Sequence, residues 1–112
     1  MNTKVIGVKG EELAKQFLLK LKYKIVEQNY TNKLGEIDII ARDGDITVFV
    51  EVKRRSSTRY GLPREAITPH KQHKIRIVAT LYLQKNKLLN SKVRFDCIEI
   101  LGNELVHIKN AF

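Results

Sequence analysis

The feature that most restricts this chain is a pair of apolar runs joined by an Asp-Gly turn, GEIDIIARDGDITVFVEVK, residues 35–53. Ile37, Ile39 and Ile40 precede the turn; Val48, Phe49, Val50 and Val52 follow it. Runs of β-branched and aromatic residues favour extended strands, and an Asp-Gly step between them is a hairpin signal. Residues 36–53 are therefore expected to form an antiparallel hairpin. Both runs carry charge where packing alone would not put it. Asp38 interrupts the first, and Glu51 and Lys53 interrupt the second.

Alternation along a strand gives those charges a common place. Glu51 and Lys53, two residues apart, point to one face, with Val50 and Val52 on the opposite, core-facing side. Asp38 has the parity of Glu36 and Ile40, so the hairpin can bring Asp38 beside Glu51 on the face that carries Lys53.

The rest of the chain supplies layers around this hairpin. Leu13, Ala14, Phe17, Leu18 and Leu21 recur at helical spacing, which predicts a helix over 8–22. YKIVEQNY at 23–30 reads as a strand, and TNKLG as a polar turn. Thr68 is a suitable N-cap and Pro69 a suitable first residue for a second helix. Ile75, Val78, Ala79, Tyr82 and Leu83 form its apolar stripe. VRFDCIEIL and ELVHIK read as two further strands. The order α-β-β-β-α-β-β predicts an α/β fold, with helices covering a mixed sheet, in a single domain over 1–112.

The first helix offers a third carboxylate. Glu11 precedes Ala14 and Leu18 by three and seven positions, at the border of the buried stripe, whereas Glu12 falls on the polar side. Clustered carboxylates repel, and some would protonate without a cation between them. Glu11, Asp38, Glu51 and Lys53 together sum to −2, the charge one divalent cation would neutralise. Glu11, Asp38 and Glu51 are expected to hold that cation, and oxygen donors at an open site suit Mg²⁺ or Mn²⁺. Such an ion polarises a phosphoryl group and lowers the pKa of a bound water, while a nearby Lys orients the nucleophile or stabilises developing charge.

Charge and composition point the same way. There are 21 Lys and Arg against 12 Asp and Glu, a net charge of +9, which attracts polyanions, nucleic acid first. Arg54, Arg55, Arg59 and Arg64 flank the proposed site, with Ser56, Ser57 and Thr58 among them, in a segment suited to phosphate oxygens. Lys71, four residues before Ile75, lies on the inward edge of its helix with Gln72 beside it, and both are expected to line the site. His70 and His73 have no compact ligand spacing with Cys97 or His107, which argues against zinc. Cys97 alternates with Phe95 and Val93 and is expected in the core, Asp96 in a structural pair, and Tyr30 in packing. The longest apolar stretch, near IVATLYL, is too short for a bilayer. Cys97 is the only cysteine, which fits a reducing cytoplasm.

Asp38, twelve intervening residues, then Glu51-Val52-Lys53 resemble the pattern of the PD-(D/E)xK nuclease superfamily. More closely, GVKGEELAKQFL, NYTNKLGEIDIIARDG, VFVEVKRR, GLPREAITPHKQHKI, ATLYL and RFDCIEI resemble the YraN-like family of small bacterial proteins, related to archaeal Holliday-junction resolvases. The resemblance covers nearly the full length. It implies a restriction-endonuclease-like fold with Glu11, Asp38, Glu51 and Lys53 at the catalytic positions. Ile37 stands where the superfamily usually has Pro. The expected activity is hydrolysis of DNA phosphodiester bonds, on branched or damaged DNA in recombination or repair. Junction resolution needs two active sites and hence a homodimer. The alternative is a non-catalytic nucleic-acid-binding module on the same scaffold. A membrane-surface role lacks a basic amphipathic helix with exposed large apolar residues.

Overall fold

The computed structural model describes residues 3–55, 67–102 and 104–112 and, within the first stretch, the side chains of 10–54. Its elements are α1 (Thr3–Lys20), β1 (Lys24–Asn32), β2 (Gly35–Asp43), β3 (Ile46–Arg55), α2 (Pro69–Lys85), β4 (Lys92–Leu101) and β5 (Glu104–Ile108). The order is the α-β-β-β-α-β-β expected from the sequence, in an α/β fold. The strands form one mixed sheet, β1-β2-β3-β4-β5. β3 and β4 run parallel, and the other neighbours are antiparallel. A parallel pair requires a crossover, and α2 provides it.

The hairpin forms as predicted, with Asp43 opposite Ile46 and Gly44 in the left-handed region at φ 62°. α2 also begins as predicted. Thr68 Oγ1 accepts from the Lys71 N–H at 3.2 Å, and Pro69 occupies the first turn. Ile75, Val78, Ala79, Tyr82 and Leu83 are all buried. Tyr30 packs edge-on against Tyr82, and Cys97 is buried.

Two expectations are corrected. α1 starts before residue 8 and ends at Lys20 rather than 22. The Tyr23 N–H donates to the Leu18 carbonyl and the Lys22 N–H to that of Leu19, with Lys22 at φ 71°. These are the bonds of a Schellman C-cap, here built on a lysine rather than the usual glycine. Leu21, which extended the helical pattern, is 44 % exposed at the cap itself.

The second correction concerns the core. Val48 and Val50 do pack under α1, with Ala14, Leu18, Ile39, Ala41, Ile98 and Ile100. The opposite face, which carries Glu51, is equally closed. Phe49, Cys97, Ile37 and Ile40 pack there under Ile75, Val78, Ala79 and Tyr82 of α2. A parallel pair with its crossover helix is covered on both sides, so its strands read as continuous apolar runs. Gly35 lets the β1–β2 turn approach α2, since a Cβ there would meet Val78 Cγ2 at 3.1 Å.

Asp96 ties this framework together. Its fully buried carboxylate accepts from Arg94 Nε at 2.8 Å, Arg94 Nη2 at 2.9 Å and the Asn110 N–H at 3.2 Å, and lies 2.8 Å from His107 Nε2. Arg94 also reaches the Tyr23 hydroxyl and Asp43. One polar cluster therefore links β4, β5, the hairpin turn and the start of β1, in the structural role expected of Asp96.

Candidate active site at the parting of two strands

The β2–β3 ladder runs from Asp43 and Ile46 to Ile39 and Val50 and ends there. Beyond that point β2 stays with β1, pairing Ile37 with Tyr30 and Glu36 with Thr31. β3 stays with β4, pairing Glu51 with Cys97 and Lys53 with Glu99. The two central strands therefore part at Asp38 and Glu51. Asp38 bridges the opening with its side chain: Oδ2 accepts the Val52 N–H at 2.8 Å, satisfying a donor the ladder leaves free.

The parting has a visible local cause. Ile39 and Ala41 face α1, while Ile40 and Ile37 both face α2, so strict alternation fails at Asp38. Opposite it on β1, Asn29 adopts the left-handed region at φ 51°, and a register shift lies just before, between Ile25 and Glu27. Asn29 makes a side-chain hydrogen bond to Glu11. Glu11, Gln28, Asn29 and Asp38 line a pocket of about 140 Å³ on the α1 side. Sequence reasoning missed Asn29. Its signal was an Asn, a residue that tolerates left-handed backbone, inside an otherwise strand-like run.

Glu51 and Lys53 reach the opening from the α2 side. Glu51 is buried, and Lys71 of the first turn of α2 places Nζ 3.0 Å from its Oε1. Lys71 also stands beside Lys53. Burial and the Asp38 charge push the Glu51 carboxyl above its usual range, against the pull of Lys71 and Lys53. Burial likewise raises Asp38, with the Val52 N–H, Lys71 and Lys53 opposing. Glu11 is raised by burial and then by Asp38. Burial and the neighbouring Lys71 lower Lys53. For Lys71 burial acts downward, but its bond to Glu51 and the charges of Glu51 and Asp38 prevail and raise it. Of the two lysines, Lys71 is the one that holds its proton more firmly.

The remaining candidates divide. Arg54 is exposed on the α1 side, where its guanidinium lies against Gly10, next to Glu11. Gln72 is half-buried, and its Nε2 donates to the Ile67 carbonyl at 3.0 Å, bracing the start of α2. Arg59, Arg64 and the side chain of Arg55 lie outside the described residues. His70 and His73 are exposed, and His107 is engaged by Asp96. Glu36 is exposed, and its charge adds to the rise of Glu11 and Asp38.

The donor chemistry suits a hard divalent cation. Asp38 and Glu51 present carboxylate oxygens that resist ionisation where they stand, and Glu51 already draws a cationic group, the Lys71 ammonium. Mg²⁺ is commonly held by one or two carboxylates and otherwise by water and phosphate oxygens. Among the described residues no three His, Cys, Asp or Glu side chains converge on one point. Glu11 thus stands as the neighbour of Asp38 on the α1 side, not as the third member of a closed cluster.

Known proteins place the chain. A model described as "Uncharacterised protein family UPF0102" matches residues 10–100. A UPF0102 protein of Caldicellulosiruptor saccharolyticus is 46 % identical over the whole of both chains. One of Clostridioides difficile is 47 % identical, again over the whole of both. GSU0650 of Geobacter sulfurreducens is 42 % identical over 99 % of this chain and 91 % of its own. Among solved structures, the crystal structure of SSO0001 is similar in fold, with a TM-score of 0.50 at 16 % identity. The match covers 96 % of this chain and spans about half, 51 %, of SSO0001. The chain belongs to the UPF0102 family.

Proposed function

For this UPF0102 member we propose a metal-dependent endonuclease that hydrolyses DNA phosphodiester bonds, branched or damaged DNA being the substrate class. One observation carries the reading. The central strands separate where Asp38, Glu51 and Lys53 stand, and Asp38 shares the α1-side pocket with Glu11. Carboxylates and an amine gathered at a break in a basic protein form an acidic notch in a surface that attracts phosphate.

Asp38 and Glu51 would hold Mg²⁺ or Mn²⁺, with Glu11 beside Asp38. When bound, the cation supplies charge neutralisation at the phosphoryl group and a more acidic water. The other functions fall to the chain. The Val52 N–H fixes the carboxylate of Asp38 in orientation. Lys53, on the face of Glu51, orients the attacking water and offsets charge developing on the phosphate. Arg54, Arg55, Arg59, Arg64, Lys71 and Gln72 are the proposed DNA-contacting residues, and a homodimer is the proposed assembly for a branched substrate.

The test incubates the protein with single-stranded, duplex, flapped and four-way DNA, with Mg²⁺, with Mn²⁺ and with chelator. Cleavage that needs the cation and disappears in Asp38→Ala and Lys53→Ala is the expected result. Binding without cleavage, equal in wild type and both variants, rejects the enzyme in favour of a binding module.

A further inference from the structure

The proposed chemistry uses one lysine, Lys53, yet the structure brings two to the carboxylates. Lys71 comes from another element, α2, and makes the ion pair with Glu51 that Lys53 does not. Its setting differs from that of Lys53. The Glu51 side chain is only 8 % exposed, whereas that of Lys71 is 39 % exposed. The backbone of Lys71 is fixed: its N–H is capped by Thr68, and the following turns are buried through Ile75 and Val78. The four-carbon stem, by contrast, borders an open pocket of about 200 Å³ lined by Glu36, Lys74 and Val78.

We propose that Lys71 is a resident counterion of the carboxylates, seated on Glu51 in the cation-free protein and displaced when a divalent cation takes its place. The inference rests on the cation reading of the site given above. A buried carboxylate without a partner is costly or becomes protonated, and neither outcome leaves a ready ligand. The ammonium keeps Glu51 charged and in place. It also competes for the same oxygen, since two cations do not share Oε1 at contact distance. Displacement is feasible because only the flexible stem has to move, into the adjoining pocket beside Glu36. There the freed ammonium stands where phosphate would approach. Lys71 is thus a positioning residue, and it weakens cation binding while readying the site for it.

This gives an effect opposite to that of a merely supporting residue. Mn²⁺ and Mg²⁺ are titrated, by calorimetry and thermal shift without DNA, into wild type, Lys71→Met, Lys71→Arg and Glu51→Gln. Each variant is first checked by circular dichroism. Lys71→Met should reach half-saturation at about tenfold lower Mn²⁺, the scale of one charge-assisted contact removed from competition. Lys71→Arg should stay near wild type, and Glu51→Gln should bind weakly. Saturable binding by wild type that is unchanged or weaker in Lys71→Met overturns the counterion role and leaves the cation reading standing. Absence of saturable binding in both overturns the two together. A second measurement needs no substitution. Acetylation of Lys71 in wild type should speed up several-fold on adding Mn²⁺, with Lys74 as the internal reference. Equal rates with and without Mn²⁺, in protein that binds the ion, also overturn the proposal.

Discussion

Replacing Asp96 with Ala removes the hub of the polar cluster, and the structure lets its cost be worked out. The carboxylate is fully buried and receives two bonds from Arg94 and one from the Asn110 N–H, with His107 at 2.8 Å. Arg94 is itself buried and, among the described residues, would retain Asp43 and Tyr23. Breaking a buried ion pair by deleting one partner costs about 3–5 kcal/mol, because the other charge is left under-compensated, here by the partly exposed Asp43 alone among the described carboxylates. At about 4 °C per kcal/mol for a domain of this size, Tm should fall by roughly 12–20 °C. Chemical denaturation followed by circular dichroism measures the loss directly. Arg94→Met should cost a similar amount. The double variant should lose less than the two singles combined, by more than about 1 kcal/mol, since neither charge is then orphaned. A loss below about 1 kcal/mol for Asp96→Ala, or additivity within about 0.5 kcal/mol, would refute the reasoning.

Three further outcomes are expected. Asp96 ionises below its usual range when folded, so its contribution is present above the ordinary aspartate pKa and is lost as pH falls through its folded value. Glu11, Asp38 and Glu51 have the opposite sign: raised when folded, they oppose stability at neutral pH and release that penalty as pH falls toward the ordinary carboxylate range. Tm measured in chelator should therefore peak in mild acid, at roughly pH 4–5, and a steady decline from pH 7 would contradict this. Asp38→Asn keeps an acceptor for the Val52 N–H while removing the charge, so in chelator it should gain about 0.5–2 kcal/mol, with destabilisation counting against the electrostatic account. Cys97 is buried, and burial followed by the Glu99 and Glu51 charges pushes its thiol up to about 12, so a disulfide reagent should titrate it only on unfolding; stoichiometric reaction in the native state at pH 8 would be the contrary result.

What the sequence disclosed were features written in local chemistry. The Asp-Gly turn, the Thr68-Pro69 cap and the stripe from Ile75 to Leu83 each act over a few residues, and all three stand where the pattern put them. Features that depend on partners far along the chain were harder to read. The end of α1 rests on a left-handed Lys22, which no glycine announces. The burial of the Glu51 face depends on the parallel pairing of β3 with β4, and a continuous run such as VFV is compatible with one closed face or two. The parity that put Asp38 beside Glu51 assumed an unbroken ladder. The ladder stops one pair short, and the side chain of Asp38 completes the connection instead. Lys71 was legible as an inward-edge residue from its spacing to Ile75, but its ion pair with Glu51 required the crossover to be folded.

The two groups of buried acids show why the strand parting, rather than the larger polar cluster, is the place to look for chemistry. Asp96 is as deeply buried as any group here, yet its oxygens are met by arginine, histidine and backbone donors, and its ionisation is eased. Such a group is satisfied by the fold and has little left to offer a ligand. At the parting, among the described residues, Asp38 takes one backbone N–H and Glu51 one half-exposed lysine, and both remain harder to ionise than ordinary carboxylates. Glu11 adds a third charge of the same sign to this poorly compensated pair. Carboxylates left under-neutralised in a basic protein lower its stability, and the fold had alternatives, since a continued ladder would have used the Val52 N–H without any acid. Retaining them is understandable if something positive arrives from outside. The stability gain expected for Asp38→Asn and the loss of cleavage expected for Asp38→Ala are then two consequences of one arrangement.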